Sequence, residues 1–211
     1  DKQKTAGPSD LNIDRTVLPI QPPKYAHITE LDARKATPPP GFKVEAPEGA
    51  PNIIVILIDD IGFSASETFG GAIKAPTFDL LAKNGVRFNQ FHTTSLCSPT
   101  RASLLSGRNH HNVNVGTVME VATGFPGNQG VRPDDAKYVA EVLRQNGYST
   151  AAFGKWHETA PWETSESGPF FRWPTHSGFD KFYGFIAGET NQWDPLIHDG
   201  EKIVDKKDNP D

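Results

Sequence analysis

Asn52-Ile53-Ile54-Val55-Ile56-Leu57-Ile58-Asp59-Asp60 is the stretch on which the fold turns. Six consecutive β-branched and leucine residues without polar alternation are the pattern of a strand covered on both faces, as in a parallel sheet. The run stops abruptly at two aspartates, and Gly62 lets the chain turn. Downstream, Pro76 to Asn84 reads as a helix, with proline at its start and Gly85 behind it. Val86 to Phe91 reads as a second strand. Asp135 to Asn146 is the clearest helix: Val139, Val142 and Leu143 share a face, and Gly147 closes it. Tyr148 to Phe153 reads as a third buried strand. Strands alternating with helices predict an α/β layered fold with a largely parallel central sheet flanked by helices.

Upstream of this body, residues 1–51 hold nine of the eighteen prolines, a density that favours extended backbone over helix or internal strand. They read as an arm, and the apolar residues within 11–20 and 42–46 predict that it docks on the body. Residues 52–211 read as the folded part. Past residue 158 aromatics accumulate while periodicity fades, and the polar Asp205 to Asp211 carry no stop signal, so the chain is expected to end inside its fold.

A net charge of −5 gives no electrostatic footprint for nucleic acid. No apolar run approaches the ~20 residues that span a bilayer. A single cysteine allows no internal disulfide, so pairing does not reveal the redox compartment. The start at Asp1 rather than Met is what a removed export signal would leave, which points to a periplasmic or secreted protein; a trimmed chain from the cytoplasm stays open.

Ligands in open α/β sheets bind outside the carboxyl ends of the strands, and three polar clusters fall there. Asp59 and Asp60 repel each other and are costly to desolvate unless a hard divalent cation joins them; alternatively, one caps a turn and the other is solvated. Cys97 opens a helix, where unpaired N–H groups favour a thiolate. Pro99 suits its first turn, Arg101 can turn back to hold an anion, and Gly107 caps the run. An inert cysteine is the plain alternative. Lys155 and His157, two apart at a strand end, offer a point charge for an oxyanion and a proton or hydrogen bond, unless they merely flank a buried Trp156. His110 and His111 serve the same pocket or decorate a loop, and scattered histidines with one cysteine do not make a zinc site.

Ser95-Leu96-Cys97-Ser98-Pro99-Thr100-Arg101-Ala102-Ser103-Leu104-Leu105-Ser106-Gly107 resembles the first signature of the type I sulfatases. Gly147-Tyr148-Ser149-Thr150-Ala151-Ala152-Phe153-Gly154-Lys155-Trp156-His157 resembles the second. Ile56-Leu57-Ile58-Asp59-Asp60 resembles the metal-binding strand end that opens these domains, and Ser177 to Phe185 with Gly188 to Trp193 resembles the larger bacterial arylsulfatases. Two departures are Ser106, where threonine is usual, and Phe153, where a smaller aliphatic residue is usual.

The resemblance implies an alkaline-phosphatase-like fold, of which residues 52–211 would be the N-terminal part. It implies oxidation of Cys97 to formylglycine by a formylglycine-generating enzyme. The hydrated aldehyde would attack a small sulfate ester, aryl sulfates first, through a covalent sulfated intermediate. Asp59, Asp60 and the modified Cys97 would bind Ca²⁺, with Mg²⁺ the lesser candidate. Arg101 would hold the hydrate, Lys155 the sulfate oxygens, and His157 would assist proton transfers. The Asp-Asn pair and the second His and Lys of the family have no convincing match, His198 being poorly placed. The remainder of the same enzyme is therefore an expected partner, and residues 1–211 alone are expected to be inactive. A formylglycine-dependent phosphonate or phosphate monoester hydrolase and a non-catalytic fragment are the alternatives.

Overall fold

A computed structural model describes residues 13–205. Leu11 and Asn12, the start of the expected docking segment, and the polar tail after Asp205 lie outside the described residues. Within them the helices are α1 (Pro76–Asn84), α2 (Cys97–Ser106) and α3 (Val139–Gln145), and the strands are β1 (Ala151–Lys155), β2 (Lys181–Phe185), β3 (His198–Asp199) and β4 (Lys202–Ile203). None of the described helices is long and apolar enough to cross a membrane.

The helices follow their sequence signals. Pro76 occupies the first turn of α1. Helix α2 ends at Gly107, whose φ of 66° and N–H bond to the Ser103 carbonyl make a left-handed cap that a side chain would strain. Helix α3 is shorter than its apolar pattern. Residues 135–138 fold instead as a turn in which the Ala136 N–H bonds the Pro133 carbonyl, so the helix begins only after Tyr138.

The sheet corrects the sequence reading. Its order is β1-β2-β3-β4, with β1 and β2 parallel but the next two pairs antiparallel, so it is α/β and mixed rather than largely parallel. Ile53–Ile58 is not a buried strand: it forms no ladder among the described residues, and Ile54 is 83% exposed. Val86–Phe91 likewise stays unpaired, with Val86, Phe88 and Phe91 exposed. The cause is common to both. An apolar run can be a strand only where a neighbouring strand takes its N–H and C=O groups, and residues 13–205 supply none beside these two. The third strand is displaced to Ala151–Lys155, because Thr150 and Asp180 tie the preceding backbone through their side chains. Among the described residues it is also an edge strand, and its Phe153 face is left open, with Phe153 75% exposed instead of buried.

Two clusters form the core. Ala102 of α2 packs with Val113, Val115, Met119 and Ala136, fastening the 109–133 loop to the helix. The aromatic segment builds the second, in which Tyr138, Trp156, Trp173, Phe182 and Ile186 are buried together. Its rings meet edge-on, Trp156 on Phe179 with centroids 5.7 Å apart and Phe170 on Trp173 at 5.1 Å, the favoured arrangement for aromatic quadrupoles. Large rings anchored from loops therefore replace helical periodicity here.

Residues 13–51 contain neither helix nor strand. Arg15 joins them to the body, donating to the Asn146 carbonyl at 3.0 Å and to the Glu45 carbonyl at 2.7 Å.

Candidate active site

The first turn of α2 and the exit of β1 face each other. Cys97 is the first residue of α2 and is half-buried. Beyond β1, the Trp156 and His157 N–H groups continue the pairing to the Phe185 and Ile186 carbonyls, each at 3.0 Å. His157 then takes a φ of 56°, unusual for a non-glycine residue, and its buried ring turns inward. Its Nδ1 stands 3.1 Å from Cys97 Sγ. Its Nε2 stands 2.8 Å from Oε2 of Glu120, on the short turn Met119–Val121.

The cations converge on Asp59. Lys155 Nζ donates to Asp59 Oδ2 at 2.5 Å, and Arg101 Nη2 lies 3.8 Å from Oδ1. Arg101 is buried; its Nη1 donates to the Lys155 carbonyl at 2.6 Å, and its Nε has no partner among the described residues. Arg101 therefore turns toward Asp59 and the end of β1 rather than onto the cysteine.

Beneath the site Glu158 is 1% exposed. It accepts the Tyr138 hydroxyl at 2.6 Å, while its Oε1 finds no partner among the described residues. The Arg132 guanidinium lies over the Tyr138 ring, 4.3 Å from its centroid.

The electrostatics follow from these neighbours. Partial burial raises the Asp59 carboxyl, but the Lys155 hydrogen bond and the Lys155 and Arg101 charges outweigh it and leave it below its ordinary value. Burial lowers the His157 imidazole, and the Glu120 carboxylate only partly offsets this. Burial pushes Glu158 up to about 8, against the opposing Tyr138 hydrogen bond and the Arg101 and Arg132 charges.

Of the residues singled out in the sequence, Asp59, Cys97, Arg101, Lys155 and His157 thus lie in one connected group. Asp60 is exposed and follows Asp59 with a φ of 54°, and no hydrogen-bond or ion-pair partner holds it among the described residues. No group of three His, Cys, Asp or Glu side chains suited to a metal gathers among the described residues. The two aspartates nevertheless fit a hard divalent cation in kind, being adjacent oxygen donors, one of them unengaged; such an ion takes six to eight oxygens, so this pair is part of a shell.

His110 and His111 shape their loop instead, with Nδ1 atoms near the Val115 and Gly127 carbonyls at 3.1 and 3.3 Å. His198 is buried edge-on against Trp173 in the aromatic core. Sequence reasoning missed Glu120 and Glu158. Glu158 had one available signal, an acid directly after the histidine of a recognised motif. Glu120 had none, because it lies in a loop without periodicity.

The Sulfatase family model matches residues 51–207. The chain belongs to the sulfatase family. An uncharacterised sulfatase of Schizosaccharomyces pombe is 35% identical over 159 residues, 72% of this chain and 27% of that protein. Arylsulfatase D of Homo sapiens is 35% identical over 152 residues, 69% of this chain and 25% of that protein. Among solved structures, the PsFucS1 sulfatase from Pseudoalteromonas sp. is similar at 29% identity, covering 63% of this chain and 25% of that one with a TM-score of 0.48. The chain spans about a quarter of the length of these relatives. As a sulfatase it has the α/β, alkaline-phosphatase-like class expected from the two signatures, and both signature segments supply side chains to the cluster just described.

Proposed function

We propose that this chain carries the nucleophile-bearing half of a sulfate-ester hydrolase site, acting on aryl sulfates or related small esters. The observation that carries the reading is the convergence of Cys97, His157, Lys155, Arg101 and Asp59 from three separate motifs. Two cations gathered on Asp59 and a histidine against a half-buried position 97 offer what a sulfuryl group needs: charge for its oxygens and a proton acceptor beside the nucleophile.

As formylglycine, residue 97 supplies a hydrated aldehyde that can attack sulfur and later release sulfate. Its position supports this role: the side chain lies within reach of a ring nitrogen, not packed in an apolar core. A formylglycine-generating enzyme is the maturation partner this requires. Ca²⁺ held by Asp59 and Asp60 would supply positive charge for the ester oxygens.

The chain's own residues do the rest. Lys155 presents a compact point charge, held by Asp59, to the anionic ester. Arg101, pinned by the Lys155 carbonyl, holds a fixed guanidinium beside it. His157, its imidazole lowered by burial, stands with Nδ1 beside residue 97 and accepts a proton from its side chain. A periplasmic or secreted location is proposed from the sequence reading alone, as is completion of the site by further residues of the same enzyme.

Sulfate release from an aryl sulfate tests the reading, with the matching aryl phosphate as the second arm. The full-length protein should turn over the sulfate faster. Faster phosphate release assigns it to phosphate ester hydrolysis, and no hydrolysis of either ester by calcium-loaded protein carrying formylglycine overturns the proposal.

A further inference from the structure

Three segments meet at the His157 ring. Cys97 Sγ lies 3.1 Å from Nδ1, and Glu120 Oε1 and Oε2 lie 3.0 and 2.8 Å from Nε2. The third is Gly188, just past β2. A Cβ there would fall 2.6 Å from Cε1 and 2.7 Å from Nε2 of the ring, so only glycine lets the chain close over it. The Gly188 N–H also faces the Glu120 carboxylate. Glu120 is itself fastened from below. Its neighbour Met119 is buried in the cluster that includes Ala102 of α2, so the turn carrying the carboxylate and the helix carrying Cys97 share one core.

A carboxylate only accepts hydrogen bonds, so the ring nitrogen facing it must carry the proton. In a neutral imidazole the other nitrogen is then a bare lone pair. Here that nitrogen is Nδ1, and it points at the side chain of residue 97. We infer that Glu120 is a positioning residue: it holds His157 in the Nε2–H tautomer, with Gly188 as the lid that keeps the ring in register, so that Nδ1 acts as a proton acceptor from residue 97. This rests on the reading of residue 97 as the nucleophile. The atoms balance simply: an O–H proton at residue 97 passes to Nδ1, while Nε2 keeps its own proton on Glu120.

The test uses the full-length protein labelled with ¹⁵N in its histidine rings. The wild type should show His157 with a protonated Nε2 and an unprotonated Nδ1. Glu120→Gln keeps an acceptor oxygen and should retain that tautomer. Glu120→Ala should lose it, with kcat on aryl sulfate falling roughly 100-fold, KM within about threefold, and Gln recovering most of the loss. A folded Glu120→Ala protein with unchanged ring signals and unchanged kcat overturns the inference, as does a wild type protonated at Nδ1. Should the wild type hydrolyse no sulfate ester while its tautomer still depends on residue 120, the functional reading fails and the positioning role stands.

Discussion

Lys155 Nζ stands 2.5 Å from Asp59 Oδ2, a contact spanning 96 positions of sequence. It joins the end of β1 to the end of the apolar run Ile53–Ile58, which has no strand partner among the described residues. Lysine and aspartate so placed neutralise each other, and a divalent cation on the aspartates competes for the same oxygen.

Calcium binding should therefore stabilise the protein through Asp59. At a free ion concentration about 100 times the Kd, the gain is about 2.7 kcal/mol, seen as a rise in Tm that a chelator reverses. Asp59→Asn should abolish most of that rise. An equal calcium-dependent shift in wild type and variant would place the ion elsewhere.

Gly188→Ala should cost turnover rather than folding. The new methyl must push the His157 ring aside, since it would otherwise stand 2.6 Å from the ring's Cε1, well inside van der Waals contact. A displacement on the order of 1 Å at a reacting group lowers kcat roughly 100-fold. Steady-state kinetics beside a thermal melt separate the two effects, and unchanged kcat would contradict the close packing over the ring.

Glu158 makes stability fall with rising pH. Its carboxyl is pushed by burial from the ordinary 4.5 to about 8. Below about 4.5 both folded and unfolded chains are protonated there. Between the two values the unfolded chain ionises first, the folded state binds more protons, and stability drops as pH rises; above about 8 the whole cost is present. Glu158→Gln should flatten this fall, which is a few kcal/mol at most in the wild type, as read from urea midpoints at about pH 5 and about pH 8.5. Parallel pH dependences would show that Glu158 ionises freely.

Trp173→Ala should be severe. The ring is wholly buried, and its Nε1 donates to the Glu163 carbonyl at 2.7 Å. Loss of about 3–5 kcal/mol, from cavity and orphaned carbonyl together, is expected in denaturant unfolding. A loss under about 1 kcal/mol would mean that the aromatic cluster is not the core.

What was legible in the sequence was local. The helix after Cys97 and its cap at Gly107 follow from residues within one turn of each other. The pairing of Lys155 with His157 as site residues follows from a short motif. The run at 53–58 reads as a strand buried on both faces, yet among the described residues it is unpaired and exposed, because a hydrophobic pattern states that a segment will be covered, not by what. Phe153 differs for the same reason, since no described element covers the face of β1 on which it stands. Glu120 was illegible because its place depends on Met119 reaching a core built from other segments, and no spacing rule encodes that.

Mass spectrometry of the peptide containing Cys97, from protein made in its own source organism, tests the central claim most directly when paired with an assay of the same sample. An aldehyde in place of the thiol, rising in proportion to sulfate-ester turnover, is the predicted result. Full turnover from protein in which residue 97 is entirely free thiol would contradict it.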